Sequence, residues 1–172
     1  MIKSTIIAVF IIWCIMLNTA TAQDISLQQK RYIQTYSQKY LGSLPQWTKI
    51  MEAIRLTECN KDRCGKSNKQ GDNSWGGWQL QPNTARDVMG YLEMKEVLTD
   101  EQIIHRLIYN NKFSTQIAVR YFAWLFKELN NLDNSIIAYN IGIGNVIYKL
   151  KTGKPLSRKY LNKVKSNIRR TQ

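Results

Sequence analysis

"PQWTKIMEAIRLTEC", residues 45–59, reads as one helix with an acid at its end. Pro45 takes a favoured first-turn position, and Trp47, Met51, Ile54 and Glu58 follow it along one side. At about 100° per residue, the spacing of these four returns them to a narrow stripe. Glu58 therefore points where the apolar residues point. Glu52 projects well away from that stripe and reads as a surface acid.

A carboxylate so placed is partly desolvated and stands at the negative end of the helix dipole. Both effects disfavour the charged form and push its pKa upward. A glutamate that stays protonated near neutral pH suits acid catalysis of glycosidic bond cleavage, where the leaving oxygen must receive a proton. The alternative left open by periodicity is a structural Glu58 that pairs with Arg55 or Lys61 at the helix end.

Helical periodicity extends to both sides. Residues 26–41 form a helix ended by Gly42. "TDEQ", residues 99–102, has capping-box spacing and opens a helix to about Asn110, and "STQIAVRYFAWLFKEL" reads as a long helix from Ser114. Further helices are expected over 133–140, 143–151 and 157–170. Between Asn60 and Gly77 the density of Gly, Asn, Asp, Ser and Lys argues for an exposed loop with room for a short hairpin. The expected fold is mainly α, a compact bundle of helices with little or no sheet.

The first 22 residues read as an export signal. Lys3 supplies the positive start, "IIAVFIIWCIML" the apolar segment, and Ala20-Thr21-Ala22 the cleavage pattern, so cleavage is expected after Ala22. The apolar run is shorter than the about 20 residues of a bilayer span, which makes a permanent anchor the weaker reading. Residues 23–172 then form one domain. That portion carries 24 bases against 12 acids, a formal charge of +12, which favours an acidic partner. For an exported protein that partner is an anionic wall polymer or membrane headgroup, and nucleic acid is not expected. The only cysteines in it, Cys59 and Cys64, are read as a disulfide that stiffens the chain directly after Glu58. Free thiols are the alternative. Zinc is poorly supported, since no histidine lies nearer than His105, itself read as a helix-surface residue.

Three segments, "RLTEC" (residues 55–59), "GGWQLQPNTA" (76–85) and "AYNIGIGNV" (138–146), resemble in order and approximate spacing the signature segments of soluble-lytic-transglycosylase (SLT) type enzymes. The resemblance implies a lysozyme-like domain around a glycan-binding cleft. It places Glu58 as the catalytic acid, Gln79 as a residue lining the cleft, Tyr139 as the tyrosine whose hydroxyl contacts the glutamate, and Asn140 as its cleft neighbour. From the residues alone, Gln79 also fits a helix-entry polar group and Tyr139 a core aromatic. Trp75 and Trp78 flank the glycine pair near Gln79 and are expected to stack on sugars. Tyr91 and Tyr148 are further candidates, whereas Trp124 reads as core. The C-terminal helix puts Tyr160 or Leu161, Val164 and Ile168 inward and Arg158, Lys159, Lys163, Lys165 and Arg169 outward, as a solvated face or as a grip on anionic polymer.

The chain departs from the family pattern at Cys59, where serine is usual, at Gly77-Trp78, where Leu-Met is usual, and at "IGIG", which lacks the usual proline. The implied substrate is the peptidoglycan glycan strand, cut at the β-1,4 bond between N-acetylmuramic acid and N-acetylglucosamine. Glu58 would act as acid and then as base to leave a 1,6-anhydro end, with no metal or cofactor. A hydrolytic lysozyme with Asp62 or Asp72 placing a water is one rival, and a noncatalytic basic wall-binding module is another. The implied protein acts as a monomer in the periplasm or outside the cell, and a compact domain without wall-anchoring repeats suits a local task within a secretion or conjugation machine.

Overall fold

The computed structural model describes residues 25–60, 64–67 and 71–170. The expected signal segment and Asp62 lie outside them. Eight helices follow in chain order: α1 (Leu27–Leu41), α2 (Pro45–Glu58), α3 (Pro82–Tyr91), α4 (Asp100–Tyr109), α5 (Asn111–Leu129), α6 (Leu132–Ile141), α7 (Ile143–Lys151) and α8 (Lys159–Arg170). Among the described residues there is no strand, only two isolated antiparallel bridges, Lys66 with Trp75 and Trp75 with Leu80. The mainly α expectation holds, and none of these helices is long and apolar enough to cross a membrane.

Side chains at the helix ends fix the boundaries. Ser26 accepts a hydrogen bond from the Gln29 amide at the start of α1, and Thr99 and Gln102 form the capping box expected at α4. Asn110 ends α4 and also caps α5 by accepting from the Phe113 amide at 2.9 Å, so α5 begins at Asn111, three residues before the expected start. Asn130 leaves α5 in the left-handed region, and Asn131 caps α6. Gly142, at φ +81°, then breaks the chain between α6 and α7.

Helix α3 was not expected from periodicity. Pro82 stands in its first turn and Ala85, Val88 and Met89 are buried, an apolar face short enough to pass for a loop. At the centre, α5 buries Phe113, Ile117, Ala118, Phe122 and Leu125 and packs against α1, α3, α4 and α6. Helix α8 folds back onto α2 and α6, with Leu161 and Val164 fully enclosed. This packing brings the C-terminal helix to the end of α2 where Glu58 stands.

Candidate active site

The stripe on α2 is as expected: Trp47, Met51 and Ile54 are buried, and Glu58 is half-buried at the last turn of the same side. The chain beyond it is held in three ways. The Cys59 amide donates to the Arg55 carbonyl at 3.0 Å, the buried Arg55 guanidinium donates through Nη1 to the Cys59 carbonyl, and Cys59 is joined to Cys64 by a disulfide. A cation at a helix C-terminus also opposes the negative end of the dipole. Sequence alone did not single out Arg55 as an organiser of the site. The signal was available, because Arg55 follows Met51 by four residues and so shares its face.

The glycine pair belongs to a tight turn in which Trp75 and Leu80 exchange backbone hydrogen bonds of 2.9 and 3.1 Å. A Cβ on Gly77 would lie 2.6 Å from the Arg55 guanidinium, so glycine here lets the backbone lie directly on the buried cation. Gln79 follows at φ +46°. Its Nε2 donates to the Gly76 carbonyl at 2.7 Å and to the Gly65 carbonyl at 3.2 Å, tying the turn to the loop after the disulfide. The second half of the expected exposed loop is thus tucked in, with Ser74 and Gly76 buried.

Two tyrosines meet the end of α2. The Tyr139 hydroxyl, from α6, donates to the Trp78 carbonyl at 3.1 Å, and its ring tilts against Tyr121 at 5.5 Å. The hydroxyl that donates to Glu58 comes instead from Tyr160 on α8, at 2.5 Å from Oε1. The contact expected of Tyr139 is therefore made by Tyr160, because α8 covers α2 more closely than α6 does. Burial, and then the neighbouring Glu58 charge, push both tyrosine pKa values well above the ordinary value, so each hydroxyl keeps its proton as a donor.

Glu58, Gln79, Tyr139 and Asn140 line one cleft of about 940 Å³, together with Tyr121, Tyr160 and Asn145. Cys64, Lys66, Asp72 and Lys163 complete its charged and polar edge. Trp78 is not available to stack on a sugar. It is fully buried, and its Nε1 donates to Thr115 Oγ1 at 3.2 Å, because the turn that frees Gln79 rotates the indole into the core. Trp75 is half-buried beneath the Lys66 ammonium and is not among the residues lining this cleft. Tyr91 and Tyr148 are exposed outside it, Trp124 packs on Tyr121, and His105 lies exposed against Tyr109. Among the described residues no three His, Cys, Asp or Glu side chains converge as a metal site would require.

The helical period of α2 points to the carboxylate, but no local pattern in the sequence points to its tyrosine donor. Tyr160 stood among the inward candidates of α8 through its spacing from Val164, yet helical period cannot say that a hydroxyl reaches an acid 102 residues away. Sequence comparison bears on the whole arrangement. Searches of the curated proteins and of the solved structures returned no match. The family model described as the transglycosylase SLT domain matches residues 32–162, a span that runs from α1 into α8 and contains every residue of the cleft except Lys163. A mainly helical, lysozyme-like chain matched over that span belongs to the SLT transglycosylase family.

Proposed function

We propose that the protein is a peptidoglycan lytic transglycosylase that cuts the β-1,4 bond between N-acetylmuramic acid and N-acetylglucosamine, with Glu58 as acid and then base. The observation that carries this reading is a glutamate at a helix end, opening into a polar cleft and held through Oε1 by the hydroxyl of the half-buried Tyr160. Protonated Glu58 gives its proton to the leaving oxygen while the substrate's own N-acetyl oxygen closes on C1. Ionised Glu58 then takes the proton of the muramic 6-hydroxyl, whose oxygen attacks C1 and expels the N-acetyl oxygen. Glu58 ends protonated, no water is consumed, and the product carries a 1,6-anhydro end. A donated hydrogen bond from Tyr160 stabilises the carboxylate between the two steps. Gln79, Tyr139 and Asn140 shape the wall along which the strand lies, and export to the cell-wall compartment gives access to it.

Tyr160→Phe removes that donor without changing ring volume. The loss of a hydrogen bond to a charged group, about 1.5–3 kcal/mol, lowers kcat by roughly 10- to 100-fold. KM is expected to change little, and rates of muropeptide release measured beside thermal melts check both points.

One observation favours a hydrolytic second reading: Asp72 lines the same cleft. Its carboxylate, however, accepts the Ser67 hydroxyl at 2.9 Å and the Ser74 hydroxyl at 2.5 Å, one on each oxygen, which suits a staple across the loop. Mass spectrometry of muropeptides released from purified peptidoglycan separates the two. The transglycosylase gives anhydro ends, and Asp72→Asn keeps them with a rate within about ten-fold of the parent. Reducing ends, lost by about 100-fold or more in Asp72→Asn, would identify Asp72 as the second carboxylate of a hydrolase.

A further inference from the structure

Among the described residues Arg55 is the one charged side chain that the fold encloses, with 2 % of its surface exposed. The bases in ion pairs, Arg86, Arg106, Arg158 and Lys165, keep 34 % or more of their side chains in solvent. The Arg55 guanidinium turns toward the end of α2, where Nη1 donates to the Cys59 carbonyl. It is thereby directed away from Glu52, three residues before it, and toward Glu58, three residues after it. The Gly77 backbone closes over it: a Cβ there would stand 2.6 Å from the guanidinium carbon, so the leucine usual at this position in the family has no room. The carbonyl of the next residue, Trp78, accepts the Tyr139 hydroxyl. That hydroxyl lies within electrostatic reach of both charges, since burial first and Glu58 second hold its proton in place, and Arg55 acts in the opposite sense. The other ionisable groups around Glu58 are Tyr160 and Lys163 from α8, Tyr139 from α6, Tyr121 from α5, and Lys66 and Asp72 from the loop. Lys66, Asp72 and Lys163 meet it across the open cleft, where water and salt screen them. Arg55 is not among the residues lining the cleft and acts through protein, where a charge is screened least.

Closing the Cys59 carbonyl calls for a donor, and a neutral one would serve. Burying a permanent charge is costly, and a nearby anion offsets part of that cost. We infer that Arg55 is a positioning residue of the reaction, whose enclosed charge stabilises the Glu58 carboxylate that forms when the leaving oxygen takes the proton. This rests on the proposed reaction. Glu58 is half-buried at the negative end of a helix, and both circumstances favour its protonated form. Unopposed, they would make it a reluctant donor, because the anion left behind has little water to support it. A fixed cation three residues back on the same helix opposes both and needs no movement during the reaction. One carboxylate can then give a proton in the first step and still wait, ionised, for the second.

Two readouts on the mature chain test this, one of them independent of turnover. The Glu58 carboxyl, identified by its loss from the spectrum of Glu58→Gln, is titrated by NMR of carboxyl-labelled protein, and anhydro-muropeptide release is followed across pH. Arg55→Gln keeps a donor and removes the charge, and is expected to raise the midpoint of the Glu58 titration by about one pH unit or more. Arg55→Lys keeps the charge and is expected to hold the midpoint near that of the parent. The alkaline limb of the pH–rate profile, above which Glu58 has lost the proton it must give, moves with the midpoint, while kcat falls and KM changes little. Should the neutral side chain leave the core too loose to fold, Arg55→Gln combined with Gly77→Ala fills the vacated space with a methyl group and repeats the measurement. A midpoint that stays put in a folded neutral variant, or that moves equally in Arg55→Gln and Arg55→Lys, would overturn the inference and leave Arg55 a tie between α2 and the turn. The expected midpoints in a protein whose parent releases no anhydro ends would overturn the proposed reaction, and the positioning role with it, while leaving the coupling of the two charges intact.

Discussion

Glu58→Gln is expected to reduce the release of anhydro-muropeptides by roughly 100- to 10,000-fold, the range contributed by general acid–base catalysis. The substitution is close to isosteric, and the carboxamide oxygen it introduces can still accept the Tyr160 hydroxyl in place of Oε1. The end of α2 remains closed by Arg55 and by the disulfide, so the melting temperature should move by only a few degrees. What is lost is the proton, since an amide gives none to the leaving oxygen and takes none from the 6-hydroxyl. Mass spectrometry of the digest, run beside a thermal melt, reads both quantities. Full wall-degrading activity in this variant would remove Glu58 from the mechanism and return the basic, noncatalytic wall-binding module to first place.

The second large effect falls on stability. In Gly76→Ala the new Cβ would stand 2.1 Å from the Leu107 carbonyl oxygen at the end of α4, in a backbone held at φ +75°. The oxygen belongs to a helix backbone and cannot swing aside, so the turn itself must shift. That turn carries the Gly76 amide bond to the Gly65 carbonyl and the Gly76 carbonyl that accepts from Gln79 Nε2. Strain and lost contacts together should cost about 3–5 kcal/mol, the upper range of single substitutions. At this chain length that lowers the melting temperature by roughly 6–20 °C. Gly71→Ala supplies the comparison: its φ is similar, +76°, but no described residue lies within 4 Å of the new Cβ, so the backbone preference, about 1 kcal/mol, is the expected loss. Equal melting temperatures for the two variants would show that close approach to α4 does not matter.

The sequence disclosed the helices whose apolar faces repeat over several turns, and it placed Glu58 on the right face of the right helix. It failed where burial depends on a turn and not on a period. Trp78 sits in a short polar stretch that looks accessible, and only the glycine pair and the positive φ of Gln79 send its indole inward. Helix α3 has a face of three buried side chains and Pro82, too short a pattern to stand out beside a loop. Tyr139 and Tyr160 are both tyrosines on helices near the same acid. Which of them reaches Glu58 is decided by how α6 and α8 pack, a relation between distant segments that no local pattern encodes.

The bond from Tyr160 to Glu58 also makes the site a reporter on the cohesion of the domain. Its two halves lie 102 residues apart in the chain, and α8 is held to α2 and α6 by the enclosed Leu161 and Val164, by Asn167 Nδ2 donating to Thr57 Oγ1 at 2.9 Å, and by Arg158 and Lys165 on Asp133. With only two of its side chains fully enclosed, α8 is docked largely through polar contacts, and such a segment can open locally before a domain unfolds as a whole. When α8 lifts, Glu58 loses its donor while α2, the disulfide and the central helix stay formed. On the proposed function, catalytic output is expected to follow the fraction of molecules with α8 docked, and heat to silence the site at a lower temperature than it melts the core.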